Sequence, residues 1–272
     1  MDTKSDLRNG RYLLFLDILG FSALVDSEGP EKVYEIINDA VQCFERWRGT
    51  NSDFKTIYFS DTFLFHQEKA GYHYSLFLDI YAIGGMLLSA LLARGIAARG
   101  AISFGEFEVR VDASANHQLY FGKALVEAYR AEQRENWIGI TILPSAWKPW
   151  SPSGDGCKEF QSERQWLFRD DGCLMLMPFI KLATWHQMDL IGEVDKPYLD
   201  WDAPDFPNDI KGFAFLRKTA CSYAKKGDFS SRVAVKYHAT MAFLEQAMGE
   251  ELFSWASRIC DDELSESIEP SV

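Results

Sequence analysis

Two aspartates in this sequence lie where carboxylates are costly. Asp17 interrupts an apolar run of strand length, Tyr12 to Ile18 (YLLFLDI), and Asp61 stands with Ser60 between two further apolar stretches, Lys55 to Phe59 and Thr62 to His66. A carboxylate in a buried strand loses several kcal/mol of hydration unless a cation or hydrogen bonds replace it. Alone, Asp17 reads equally well as a carboxylate that caps the loop after its strand. With Asp61 it reads as half of a metal site. Two carboxylates that repel each other when bare accept magnesium or manganese, ions that also bind phosphate oxygens. The amides of Leu19, Gly20 and Phe21, directly after the strand, would then cradle phosphate groups.

Bringing these side chains together takes a particular set of elements. Ser60-Asp61 is a polar pair of the kind that closes a hairpin, which puts Asp61 at its tip. Pro30 opens a helix in which Val33, Ile36, Ile37, Ala40, Val41, Phe44 and Trp47 recur at helical spacing up to Arg48. Tyr72 to Arg94 is a long helix ended by Gly95, apolar enough to pack on two sides, against either a partner or the C-terminal helices. Ala97 to Glu108 predicts two strands bent at Gly105. Leu119-Tyr120-Phe121 leads into a helix over Gly122 to Glu132, and Ile138 to Ile142 adds a strand. The order β-α-β-β-α-β predicts an α+β fold, a ferredoxin-like sheet with helices on one face. Residues 1–145 are the expected core. From Trp147 to Asp209 the chain turns to Pro, Gly, Asp and Trp around short apolar runs at Trp166 to Phe168 and Cys173 to Phe179. Asn208 to Lys225 and Ser230 to Met248 regain helical spacing, and the acidic tail from Asp261 is expected to fray. Residues 146–272 are therefore expected to be an extension packed on the core rather than an independent domain.

Composition narrows the chemistry. Hydrophobic residues at 47% and charged residues at 25% describe a globular chain rather than a disordered one. No apolar stretch runs unbroken for the ~20 residues a bilayer needs, and the N-terminus lacks the features of a signal peptide. A cytoplasmic protein without a membrane partner is expected. A net charge of −12 argues against a duplex nucleic acid partner, which demands a basic face. Five cysteines without a CxxC pair and five histidines without HxxxH or HExxH spacing support neither a disulfide framework nor a zinc site. A small anionic ligand held through metal ions remains compatible with all of this.

Four stretches together carry a family resemblance: LDILGFS at 16–22, KTIYFSDTFLF at 55–65, RGAISFGE at 99–106 and YFGKALVEAYRAE at 120–132. In that order they resemble the landmarks of the class III nucleotidyl cyclases. The FSD hairpin and the GKALVEAY helix are most similar to the Pycsar pyrimidine cyclases of bacterial antiphage defence, which make cyclic CMP or cyclic UMP. The resemblance implies that Asp17 and Asp61 hold two Mn²⁺ or Mg²⁺ ions, with the carbonyl of Ile18 as a further ligand. It implies that a ribose 3′-hydroxyl, activated on one ion, attacks the α-phosphate and releases pyrophosphate held by the other. It also implies a homodimer with sites at the interface, metals coming from one protomer and transition-state groups from the other.

The same resemblance bears on the base. Purine cyclases carry a Lys four residues before the second metal Asp and an Asp two residues before the aromatic-Gly pair. Here those positions hold Ile57 and Leu119, and neither hydrogen-bonds a purine edge. Tyr58 would fill the space above a smaller base and present its hydroxyl to it, or else be a core aromatic with a wet tip. Arg99 would donate to a uracil carbonyl or a phosphate, or be a plain surface arginine. The family's transition-state Asn and Arg fall on Val126 and Arg130. Arg130 would stabilise charge on the triphosphate, and the role of the missing Asn is left to Glu127 or Lys123. The expectation is a uridylate cyclase making cyclic UMP from UTP, with CTP as second choice. An inactive, nucleotide-binding cyclase-like regulator is the alternative from another class.

Overall fold

Alternation along the first strand divides the molecule into two faces. β1 (Gly10–Ile18) buries Tyr12, Leu14, Leu16 and Ile18 in one hydrophobic cluster and Leu13 in another, on the side that Phe15 and Asp17 share. The computed structural model describes residues 9–48, 53–112, 117–149, 151, 166–176, 178–179 and 208–266. After β1 come α1 (Phe21–Glu28), α2 (Pro30–Arg48), β2 (Phe54–Phe59), β3 (Thr62–Gln67), α3 (Tyr74–Leu92) and β4 (Ala98–Glu106). β3 and β4 flank β1, both antiparallel to it, and β2 lies outside β3. This is the ferredoxin-like β-α-β-β-α-β arrangement, with α2 and α3 on the Tyr12 face. α1 falls where the sequence suggested only a loop. It buries no residue fully, so it leaves no helical periodicity to read.

Two expectations need correction. Ala97 to Glu108 is not two strands bent at Gly105. Gly105 keeps its ladder partner Arg11 within β4, and the chain turns instead at the buried Phe107. β5 (Glu108–Asp112) then leaves the sheet and pairs with β6 (His117–Phe121) as a separate ribbon. Nor do all helices share one face. α4 (Lys123–Arg134) covers the Leu13 face, packing Ala124, Ala128 and Ala131 against Leu13, Ala101 and Phe107. Gly122 makes this possible: its φ is 149°, and a Cβ there would lie 2.3 Å from the Glu106 carbonyl oxygen.

Beyond β4 the sheet continues. β7 (Gly139–Ile142) is parallel to β4 and is followed by α5 (Pro144–Trp147). β8 (Trp166–Phe168) and β9 (Leu174–Leu176) then extend the order to β2-β3-β1-β4-β7-β9-β8. α6 (Asn208–Lys225) lies on α3, where the Ser89 hydroxyl donates to Asp209 and Gly212 faces Leu92. α7 (Arg232–Glu266), interrupted at Gly249, packs on α6. α3 is long and apolar enough to cross a bilayer, yet 12 of its 19 residues are buried, between the sheet and α6. Its two-sided packing is therefore met within the chain. α7 reaches Glu266, past the expected fraying point at Asp261. Residues 1–8, 180–207 and 267–272 lie outside the described residues, and with them the readings of the N-terminus, of most of the Pro- and Trp-rich stretch and of the last six residues.

Candidate active site

The C-terminal end of β1 gathers the chemistry. The Ile18 amide donates to the Asp61 carbonyl at 2.8 Å, which pins the β2–β3 turn to the strand end. Ser60, at φ 54°, closes that turn in the left-handed region. The strand registers then set Phe59, Thr62, Asp17, Arg99 and Gly139 in one row across β2, β3, β1, β4 and β7. Residues in such a row share a face, here the one that α4 covers.

Asp17 is half-buried in that row. Burial first, then the charges of Glu132 and Asp61, push its carboxyl from 3.8 up to about 6, against the opposing pull of Arg99 and Lys236. The structure thus brings the two predicted metal carboxylates into one electrostatic neighbourhood. Among the described residues no cluster of three or more His, Cys, Asp or Glu side chains is arranged to hold a metal. The expected donors are the Asp17 and Asp61 carboxylates and the Ile18 carbonyl, all at the end of β1 or in the turn bonded to it. An all-oxygen set with crowded negative charge fits Mg²⁺ or Mn²⁺, with water and phosphate oxygens completing the shell.

Four other expectations are changed. The Leu19 amide donates to the Ala97 carbonyl at 2.8 Å and is not available to a phosphate. Of the three amides expected at a phosphate, that leaves Gly20, in the left-handed region at φ 72°, and Phe21 at the start of α1, whose N-terminus has no side-chain cap. Arg99 is neither a surface residue nor free for a base. It is buried beneath α4, its Nε bonded to the fully buried Glu132 carboxylate and its Nη1 donating to the Glu135 carbonyl at 2.9 Å. Tyr58 pairs with Phe63 across the hairpin and so lies on the face opposite Asp17. Its ring meets Phe63 and Phe65 edge-on, and its hydroxyl donates to Glu45 of α2 at 3.3 Å. Glu127 and Lys123 lie toward the other pole of the sheet, where Glu127 accepts from Ser145 and Lys123 pairs with Glu106. That pole is a groove beside Gly10, seven residues or roughly 23 Å down β1 from Asp17.

The remaining positions keep the character the sequence gives them. Ile57 packs on the Asp17 face, Leu119 is exposed on the ribbon, and Val126 is exposed on α4. Arg130 is exposed on α4, without an ion pair among the described residues. Three residues escaped the sequence reading. Phe59 is 78% exposed in the Asp17 row; its signal was an aromatic at an even spacing from Ile57 beside the turn. Glu132 and Lys236 carried no such signal, because only tertiary packing brings α4 and α7 to Asp17.

No family model and no curated protein matches the chain in sequence. Among solved structures it is similar to the dimeric guanylyl cyclase domain of the RhoGC fusion protein of the aquatic fungus Blastocladiella emersonii. That match has 13% identity, covers 62% of this chain and 94% of the other, and has a TM-score of 0.48. It is also similar to the guanylate cyclase domain of RhGC from Catenaria anguillulae in complex with GTP, at 12% identity, 62% and 94% coverage and a TM-score of 0.44. A third is the adenylyl cyclase CyaB of P. aeruginosa, at 13% identity, 62% and 93% coverage and a TM-score of 0.40. At these identities and scores the likeness bears on neither substrate nor activity.

Proposed function

We propose that the protein is a metal-dependent nucleotidyl cyclase of pyrimidine nucleoside triphosphates, converting UTP or CTP to the 3′,5′-cyclic monophosphate and pyrophosphate. The observation that carries this reading is the meeting of Asp17 and Asp61 at the end of β1, where the Ile18 amide donates to the Asp61 carbonyl at 2.8 Å directly before the Gly20 turn, and where burial, Glu132 and Asp61 raise the Asp17 carboxyl. Crowded negative charge of this kind suits a cation, and it lies directly before the Gly20 and Phe21 amides. Bound Mg²⁺ or Mn²⁺ would supply charge neutralisation and a more acidic ribose 3′-hydroxyl. Asp17, Asp61 and the Ile18 carbonyl would hold the ions, and Gly20 with Phe21 would orient the phosphates. The 3′-oxygen bonds to the α-phosphorus, the bond from that phosphorus to the β-phosphate oxygen breaks, and the hydroxyl proton is released.

The apolar Ile57 and Leu119 support a pyrimidine over a purine, and Phe59 offers a stacking face without hydrogen-bond preference. With Arg99 buried against Glu132, the ground for uracil over cytosine is gone and UTP and CTP stand level. Exposed apolar residues on α4 and the ribbon, Val111, Phe121, Val126 and Tyr129, surround the helix that carries Arg130. That surface supports a homodimer in which Arg130 serves the partner's site. A role as signal generator in antiphage defence rests only on the sequence resemblance.

Alanine variants test the reading. Asp17→Ala and Asp61→Ala should each lower cyclic nucleotide formation by about a hundredfold or more while melting within a few degrees of wild type. Wild-type turnover in either folded variant contradicts it. A regulator without catalysis would show nucleotide binding and no product.

A further inference from the structure

α7 comes from the extension, yet it is fastened at the active end of the sheet. The buried Thr240 hydroxyl accepts the Ile138 amide at 2.7 Å and donates to the Lys236 carbonyl at 2.7 Å. Ile138 directly precedes Gly139, the β7 member of the Asp17 row. Phe243, one turn further along, packs edge-on against Trp137, with ring centres 4.9 Å apart. The Trp137 indole donates to the Glu135 carboxylate, and the Glu135 carbonyl accepts from Arg99. A continuous chain of contacts thus fixes α7 relative to Arg99 and Asp17.

Lys236 lies one turn before Thr240 and is half-buried. The charged groups that face it are Asp17 and Glu132, which attract it, and Arg99 and Arg232, which repel it. Glu132 is already committed to Arg99. Among the described residues no carboxylate lies within ion-pair distance of the Lys236 ammonium. Burial, with Arg99 and Arg232, holds its pKa below the ordinary lysine value. A partly desolvated cation fixed beside a polyphosphate site, with no carboxylate partner in ion-pair contact, is placed for an anion that the chain itself does not supply.

We infer that Lys236 is a binding residue for the terminal phosphates of the substrate, delivered to the Asp17 and Asp61 site by a helix outside the cyclase core. The inference rests on the cyclase reading, and it gives the extension a direct part in the site. The ammonium stabilises charge on the β- and γ-phosphates, and therefore on the pyrophosphate that leaves.

Titration calorimetry with manganese pyrophosphate tests it, on wild type, Lys236→Ala, Lys236→Gln, Lys236→Arg and, as a control on the exposed face of α6, Lys218→Ala. Melting temperatures and turnover are measured on the same samples. Removing the charge should weaken pyrophosphate binding by about tenfold or more in the alanine variant, or in the glutamine variant should alanine loosen the helix. Arginine should stay within about threefold of wild type, and Lys218→Ala should not differ from it. Unchanged affinity on loss of the Lys236 charge, an equal loss in Lys218→Ala, or a wild type that does not bind manganese pyrophosphate would each overturn the inference. The turnover readout separates it from its premise. Cyclic product with unaltered pyrophosphate binding in Lys236→Ala removes the inference alone, and Lys236-dependent binding without cyclic product removes the cyclase reading alone.

Discussion

Asp17 carries a protonation signature that can be read without substrate. Its carboxyl sits at about 6 in the folded chain against 3.8 ordinarily, so between those values the folded state holds a proton that the unfolded state has released. The associated stability is fully present below the lower value and is lost as pH rises through the upper one. At pH 7.5 the ionised carboxylate is therefore a burden on the metal-free protein. Asp17→Asn should be more stable than wild type there by on the order of 1 kcal/mol, the half-exposed site being screened by solvent. The difference should vanish toward pH 4. Manganese at pH 7.5 should raise the melting temperature of wild type and leave Asp17→Asn nearly unchanged. Thermal melts in chelator and in manganese check both statements, and a wild type more stable than Asp17→Asn at pH 7.5 in chelator contradicts the first. Asp17 and Asp61 were legible in the sequence because a carboxylate in an apolar strand and a polar pair between two strands are local patterns. Arg99 and Tyr58 were misread because their partners, Glu132 and Glu45, come from helices whose docking no local pattern encodes.

At the scale of elements, β1, the β2–β3 hairpin, α2 and α3 were readable from period and punctuation, and with them the meeting of the two aspartates. The division of β4 from β5 was not, since a glycine invites a bend that the ladder to Arg11 resists, while the buried Phe107 marks the actual departure. Gly122 is the hinge on which α4 depends. Its φ of 149° is one that L-residues rarely adopt, and a Cβ would meet Glu106 and Phe107 backbone atoms at 2.3 and 2.6 Å. Gly122→Ala should cost about 2–4 kcal/mol in urea melts and lower activity by displacing α4, which bears Arg130 and holds Arg99 through Glu132. A variant as stable as wild type would show that α4 tolerates another entry angle.

For the whole molecule, residues 146–272 supply β8 and β9 to the same sheet, cover α3 with α6, and bring α7 to the strand ends where Asp17 lies. The short apolar runs at 166–168 and 173–179 and the helical spacing over 208–225 and 230–248 were legible, but the place of β8 and β9 in the sheet and the docking of α7 beside Asp17 were not, because tertiary contacts alone decide them. The apolar surface left open on α4 and the ribbon is expected to be the homodimer contact. Val126→Glu should weaken self-association by about tenfold or more in sedimentation velocity and reduce turnover with it, while a tight dimer in that variant would move the interface elsewhere. The central claim, metal-dependent cyclisation of a pyrimidine nucleotide, meets its most direct test in one measurement. The purified protein is incubated with manganese and each of ATP, GTP, CTP and UTP in turn, and the products are resolved by mass spectrometry. The expected result is cyclic UMP or cyclic CMP with an equal yield of pyrophosphate, and little or nothing from the purines. A cyclic purine nucleotide as the main product, or no cyclic product from any of the four by folded protein, would contradict it.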